Sequence, residues 1–282
     1  MENRLVALGI ITIVISSLVV GIAVILMSID NTGQDTDIND QEIIGDKFLY
    51  YHGINITWFG EAAFRIISGD LAVYIDPYVI PSGAEIADII ISTHTHGEHL
   101  SLFDIVYLSD ADTTLYTPKP NRSIDGIGPN PEAVTSSVPG NVTFSKPGMV
   151  VNHSNTILEF VPAYNIDKYN YNIPGQLWHP PWANWTGVIV EIDGTRIYHP
   201  GDSDHIPEME QIDCDIFLAP VGGVGVMTSH EAADAVESLK ITSDLKYAVP
   251  MHYGYIPTDS PIGPSANFAA EANCTVVILK PV

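Results

Sequence analysis

The sequence predicts an α/β domain carried behind a long apolar N-terminal segment. Many short apolar or alternating runs read as strands with few helical stretches among them, and no repeat of roughly 20–50 residues recurs. Residues 5–29 contain no charged side chain. The 282 residues carry 34 Asp and Glu against 11 Lys and Arg, a net charge of −23. Phosphate backbones are bound by basic patches, so this balance excludes a nucleic-acid-binding protein. With 46% hydrophobic and only 16% charged residues the chain is no disordered acidic tail either. Its two cysteines, Cys214 and Cys274, are too few for a thiolate zinc site or a disulfide scaffold and allow at most one bridge.

Taken in order, the apolar run comes first. A helix of about 25 residues rises roughly 37 Å, enough to cross a hydrocarbon core of about 30 Å. The run exceeds the usual apolar core of a secretory signal and ends without an A-x-A site. The expectation is therefore one N-terminal transmembrane helix over residues 1–29 that stays attached, with a cleaved signal as the alternative. Arg4 precedes it and Asp30, Asp35, Asp37 and Asp40 follow it, so the N-terminus is expected in the cytoplasm and the remainder outside. N-x-S/T triplets at Asn55, Asn121, Asn141, Asn152, Asn184 and Asn273 would serve as glycan acceptors on an exported domain. Residues 30–46 are polar and acidic and read as a flexible stalk, leaving 47–282 as the domain.

Within that domain, 54–59 alternates like a half-buried strand, a Gly60-Glu61 turn follows, and 63–67 returns. Residues 71–75 form a third strand closed by Asp76-Pro77. The nearly continuous apolar run 86–92 suits a strand buried on both faces. Further strands are expected at 143–144, 156–161, 187–192, 196–198, 214–219, 248–251 and 275–279. Helical periodicity is clearest over 230–239.

The buried strand runs into Ser92-Thr93-His94-Thr95-His96-Gly97-Glu98-His99-Leu100. Three imidazoles and a carboxylate in six residues have the composition and spacing of a metal site. In extended chain His94 and His96 point the same way, and after the turn Glu98 and His99 can address a neighbouring position. Imidazole and carboxylate without thiolate suit Zn²⁺, Mn²⁺ or Fe²⁺. Asp202, in Tyr198-His199-Pro200-Gly201-Asp202, and His252, in Pro250-Met251-His252, each follow a strand and complete a plan for two adjacent ions. His199 is expected to brace a ligand rather than be one, and His52, His153, His205 and His230 to be ordinary surface or turn residues. The aromatic stretch from Tyr164 to Trp185 reads equally as a wall over a substrate or as packing beneath a long loop.

These segments, with Ile75-Asp76-Pro77, Val161-Pro162-Ala163 and Pro220-Val221-Gly222-Gly223, resemble the metallo-β-lactamase superfamily. The likeness is greatest to its simple hydrolase branch, which includes ascorbate-6-phosphate lactonase, and it spans nearly the whole domain. It implies a four-layer αββα sandwich with the metals at one edge. It further implies that His94 and His96 bind the first metal and His99 and His252 the second, with Asp202 between them. Two departures stand out. Glu98 occupies the place of the family's aspartate, and Asn165 stands where the family has its middle histidine. Asn165 through its amide oxygen, His179 swinging in from Trp178-His179-Pro180-Pro181, or water or no group at all are the alternatives for the missing ligand, and the first site is weak in the last case.

The expected activity is hydrolysis using one or two divalent ions, Zn²⁺ foremost, with Asp202 holding the metal pair and Glu98 orienting or accepting a proton. A small ester, lactone or phosphoester fits as substrate, and so does a lipid if the anchor holds the domain at a bilayer. A phospholipase facing the membrane is the enzymatic alternative. An envelope binding module of the same fold that has lost its chemistry is the alternative from another class. The acidic surface argues against polyanionic substrates.

Overall fold

The computed structural model describes residues 42–121, 129–153, 155–253 and 263–282. The proposed membrane helix lies outside the described residues; among those described, no helix is long and apolar enough to cross a membrane.

Two mixed sheets are built on one plan. The first comprises β1 (Glu42–Ile44), β2 (Phe48–Tyr51), β3 (Ile54–Gly60), β4 (Ala63–Ser68), β5 (Leu71–Ile75), β6 (Ile89–Ile91), β7 (Thr114–Pro118) and β8 (Asn141–Ser145), paired in that order. Strands β1 to β5 form an antiparallel meander, and β5 to β8 run parallel. The second sheet comprises β9 (Val150–His153), β10 (Thr156–Pro162), β11 (Thr186–Ile192), β12 (Thr195–His199), β13 (Ile216–Pro220), β14 (Tyr247–Met251) and β15 (Thr275–Val276). Again a meander, β9 to β12, gives way to a parallel half, β12 to β15.

The side-chain alternation of a strand assigns each residue to a layer. Phe64 and Ile66 of β4, Val73 and Ile75 of β5, and Ile89 and Ile91 of β6 pack with Val188 and Val190 of β11, Ile216 and Leu218 of β13, and Val249 of β14. That is the core between the sheets. The intervening residues Ala72, Tyr74 and Ile90 face the opposite way, with Ile105 of helix α1 (Leu102–Tyr107) and Val134 of helix α2 (Pro131–Ser137). On the second sheet Tyr198, Phe217 and Ala248 face Ala232, Val236 and Leu239 of helix α3 (Ser229–Leu239) and Phe268 of helix α4 (Pro264–Glu271). Both sheets are thus buried on two faces, which is why their parallel strands read as unbroken apolar runs. The mixed α/β fold with two sheets is as expected.

Three expectations shift. The segment read as stalk already contains β1, whose Glu42 pairs with Tyr51 and accepts a hydrogen bond from the Tyr247 hydroxyl at 2.5 Å, so the sheet begins before residue 47. The run 86–92 contains a strand only over Ile89–Ile91: Ile86 is exposed, and the Asp88 carboxylate leaves the apolar pattern to accept the Ala72 N–H at 2.7 Å. Strands β2, β7 and β9 and helices α1, α2 and α4 are present beyond the elements read from periodicity. Each is at most eight residues long, too short for a period to declare itself. Both cysteines are free thiols, Cys214 buried and Cys274 half-buried.

Candidate metal centre

The site forms where the carboxyl ends of parallel strands from both sheets meet, the position at which open α/β sheets place ligands. His94 and His96 follow β6, Asp202 follows β12 and His252 follows β14. A tight turn returns the chain after His96, whose carbonyl accepts the N–H groups of His99 at 3.0 Å and Leu100 at 2.8 Å. His99 thereby comes to lie over His94, ring centroids 3.9 Å apart. Gly201 sits here with φ +62°, and a Cβ on it would lie 2.9 Å from the Thr93 side chain. A Cβ on Gly222 would lie 2.0 Å from the His252 carbonyl oxygen, so neither glycine can be replaced without moving a ligand segment.

Two groups of ligand atoms converge. Nitrogens of His94, His96 and His179 lie within 4.8 Å of one another, as do ligand atoms of His94, His99 and Asp202. His94 Nε2 is 3.0 Å from His96 Nδ1, and His179 Nε2 is 3.3 Å from the same atom. Asp202 Oδ2 sits among four imidazoles, 3.2 Å from His252 Nε2, 3.4 Å from His99 Nε2, 3.5 Å from His179 Nε2 and 4.0 Å from His94 Nε2. His99 Nε2, His252 Nε2 and Asp202 Oδ1 are buried and make no hydrogen bond. Buried polar atoms without partners are costly, and a cluster aimed at one point fits a cation. Nitrogen and carboxylate donors without sulfur are the chemistry of zinc and of the harder first-row ions. The residues present therefore fit a metal pair, with His94, His96 and His179 on one side, His99 and His252 on the other, and Asp202 between.

The hydrogen bonds behind the ligands fix which nitrogen of each ring faces inward. Asp76, fully buried at the end of β5, accepts the Thr93 N–H at 2.7 Å through Oδ1. Its Oδ2 accepts from the Thr93 hydroxyl at 2.7 Å and from His99 Nδ1–H at 2.8 Å. Because the Thr93 hydroxyl hydrogen is committed to Asp76, Thr93 Oγ1 can only accept from His94 Nδ1–H, at 3.1 Å. One carboxylate thus orients His99 directly and His94 through Thr93, leaving both Nε2 atoms as inward lone pairs. Asp76 adopts φ +47°, a left-handed conformation uncommon for aspartate and of the kind found at functional sites. On the other flank, His179 Nδ1–H faces Asn165 Oδ1 and the Gly225 carbonyl, both at 2.9 Å. Asn165 Nδ2 donates to Asp204 Oδ1 at 3.1 Å and to the Gly225 carbonyl at 2.8 Å.

Those contacts place the two candidate side chains. The Asn165 oxygen faces the His179 backbone N–H at 3.0 Å and its ring, so Asn165 stands behind the cluster. His179 is the imidazole that reaches the cluster. Glu98 and His252, both expected as ligands, lie outside the two groups of converging ligand atoms; His252 Nε2 is nevertheless 3.2 Å from Asp202 Oδ2, and Glu98 is half-buried and lines the cavity with His96 and His252. His199 is no ligand either, since its Nε2–H donates to the Ala62 carbonyl at 3.0 Å and its Nδ1 accepts from Gly201 N–H. The aromatic stretch divides. Trp185 is buried against the rings of His94, His96 and His179 at 5.0, 5.0 and 5.4 Å, whereas Tyr171 and Trp178 line the cavity.

Electrostatics separate the imidazoles. Burial disfavours charge on His99, but Asp202 and Asp76 outweigh it and hold its pKa well above the ordinary histidine value. His252 is raised by the same contest, Asp202 prevailing over burial. Asp202 itself, despite burial, is held well below the usual carboxylate range by His252 and His99. His94 is pushed well below its ordinary value by burial and by neighbouring His99, and burial takes His179 down to about 3.

A family model described as the beta-lactamase superfamily domain matches residues 55–252, from β3 to His252 itself. The chain belongs to this superfamily. A metal-dependent hydrolase of Archaeoglobus fulgidus is 30% identical over 247 residues, covering 81% of this chain and 96% of its own. One of Thermococcus onnurineus is 27% identical over 240 residues, covering 81% and 97%. Among solved structures, one assigned as a metal-dependent hydrolase from Parabacteroides distasonis is 25% identical with TM-score 0.63, covering 85% of this chain and 98% of its own. The metallo hydrolase of Ignicoccus hospitalis shares the fold at 19% identity and TM-score 0.58, covering 81% and 95%.

Proposed function

We propose that this metal-dependent hydrolase cleaves a small ester, lactone or phosphoester. The observation that carries the reading is the clustering of five imidazoles with Asp202 at a cavity of about 330 Å³, which His96, His179, His252 and Asp202 line. That volume suits a small molecule. These residues would hold the divalent metal, which when bound would supply an activated water near neutral pH and polarise the scissile oxygen. The chain's own residues do the rest. Asp202 fixes the separation of the two halves, and Asp76 and Asn165 hold the imidazole lone pairs in register. Tyr171, Trp178 and Tyr253 wall the cavity and exclude bulk water, and Glu98 at its rim is placed to take or orient a proton. The relatives named as metal-dependent hydrolases support the reaction class.

The apolar segment 5–29 is the basis for proposing that the domain is tethered to a membrane with the hydrolase outside. Exposure of Asn121, Asn141, Asn152, Asn184 and Asn273 is compatible with an exported, modified surface. The test is a screen of soluble esters, lactones and phosphodiesters with the full chain loaded in turn with Zn²⁺, Mn²⁺ and Fe²⁺, set beside head-group release from vesicles. Turnover of a soluble substrate that a chelator abolishes and metal restores is the expected result. Head-group release alone would move the substrate to the bilayer, and no turnover with any ion would overturn the assignment.

A further inference from the structure

A second cavity, of about 490 Å³, lies at the carboxyl ends of β7 and β8. Lys119 follows β7 and Lys146 follows β8, and the parallel register that sets Pro118 opposite Ser145 brings the two lysines side by side. In a chain of net charge −23 this is an unusual wall: among the described residues it carries two ammonium groups and no Asp or Glu. Elsewhere Arg65, Lys168, Arg196, Lys246 and Lys280 each face a carboxylate. Lys119 and Lys146 are exposed and make no ion pair among the described residues. An independent feature points the same way. Ser145 lines the cavity, is 5% exposed, and its hydroxyl oxygen is buried without a hydrogen-bond partner. The same cavity is lined by Trp182, 59% exposed although it is the largest apolar side chain of the wall.

We propose that this cavity is a second ligand site, separate from the metal centre, for a small oxyanion, a phosphate or carboxylate carried on a flat or apolar body. The two ammonium groups and the Ser145 hydroxyl would meet the charged oxygens with charge-assisted hydrogen bonds. The Trp182 face would cover the body. Lysine binds a phosphate as a point charge and tolerates either anion, so the chemistry is shared between phosphate and carboxylate. The turn that carries Trp182 leads directly from His179 to Trp185, so an occupant would rest against the loop that supplies a ligand to the metal centre.

The site is tested by calorimetric titration of the full-length, metal-loaded protein with phenyl phosphate, benzoate and inorganic phosphate at low salt. His96→Ala, which damages the metal centre, is expected to leave this binding in place. Lys119→Gln with Lys146→Gln is expected to weaken it about tenfold or more, while Lys146→Arg, which keeps the charge, retains it. Trp182→Ala is expected to weaken phenyl phosphate and benzoate and to spare inorganic phosphate. Binding that vanishes with His96→Ala, or survives the double lysine variant unchanged, would overturn the proposal. Equal losses of phenyl phosphate and inorganic phosphate in Trp182→Ala would overturn the part assigned to the tryptophan.

Discussion

The two halves of the metal centre use the same side chain against opposite backgrounds. His99 and His252 stand against carboxylates, Asp76 at 2.8 Å from His99 Nδ1 and Glu61 at 3.9 Å from His252 Nδ1, and with Asp202 in front both are raised in pKa. His94 and His179 stand against neutral groups, the Thr93 hydroxyl, the Asn165 amide and the Gly225 carbonyl, and burial drives both down. A metal takes only the neutral imidazole. The amide-backed half is thus held ready for a cation with little competition from protons. The carboxylate-backed half must shed a proton first but presents more basic nitrogens when it has done so.

The largest effect is expected at Asp202, the residue both halves share. Asp202→Asn leaves the shape of the residue and removes the charge between four imidazoles; loss of more than about 10³-fold in kcat is expected, with the fold retained by circular dichroism. Asp76→Asn comes next, because it removes the anion behind His99 and the acceptor that commits the Thr93 hydroxyl. Metal affinity should fall about 10–100-fold. Asn165→Ala strikes the other half alone. A fall near the lower end of the same range is expected, confined to the ion held by His94, His96 and His179, with Asp204→Asn producing a weaker version by loosening Asn165.

Acid sharpens the contrast without a mutation. Groups of raised pKa protonate first, so lowering the pH should release the ion of the His99–His252 half before that of the His94–His179 half, as two steps in metal content followed during titration. In the metal-free protein the same groups set a stability maximum. His94 and His179 have lowered values, so their contribution is present above the ordinary histidine value and lost as the pH falls below it. His99 and His252 have raised values, so their contribution is present below the ordinary value and lost as the pH rises through the folded one. Chemical denaturation of the metal-free protein between about pH 4 and 9 should therefore peak near pH 6.5, and a monotonic curve would contradict the division.

The three histidines that follow one strand end are legible in the sequence as a local pattern, whereas the way distant segments close on them is legible only in part. His94, His96 and His99 lie within six residues after a buried strand, so their pattern is local. His179 lies 83 residues beyond His96 and joins it only because Asn165 and Gly225 hold its outer nitrogen. Nothing in Trp178-His179-Pro180 announces that, since the signal is the absence of a histidine at Asn165, which leaves a vacancy without saying what fills it. Asp76 was visible only as the end of a strand; its reach to Thr93 and His99 depends on the parallel pairing of β5 with β6. Glu98 stands apart from the two groups of converging ligand atoms but lines the same cavity, a placement that adjacency in sequence to His99 does not fix. The sheets followed the same division, with long apolar runs readable and short strands such as β2 and β9 fixed by their neighbours.

The account rests on His179 completing the half in which Asn165 only positions it. The most direct measurement is metal content by elemental analysis of the purified full chain and of its His179→Ala and Asn165→Ala variants, prepared without chelators. About two divalent ions in the parent protein are predicted, about one in His179→Ala, and about two, held less tightly, in Asn165→Ala. An unchanged complement in His179→Ala together with loss of an ion in Asn165→Ala would contradict it, and would return the ligand to the asparagine.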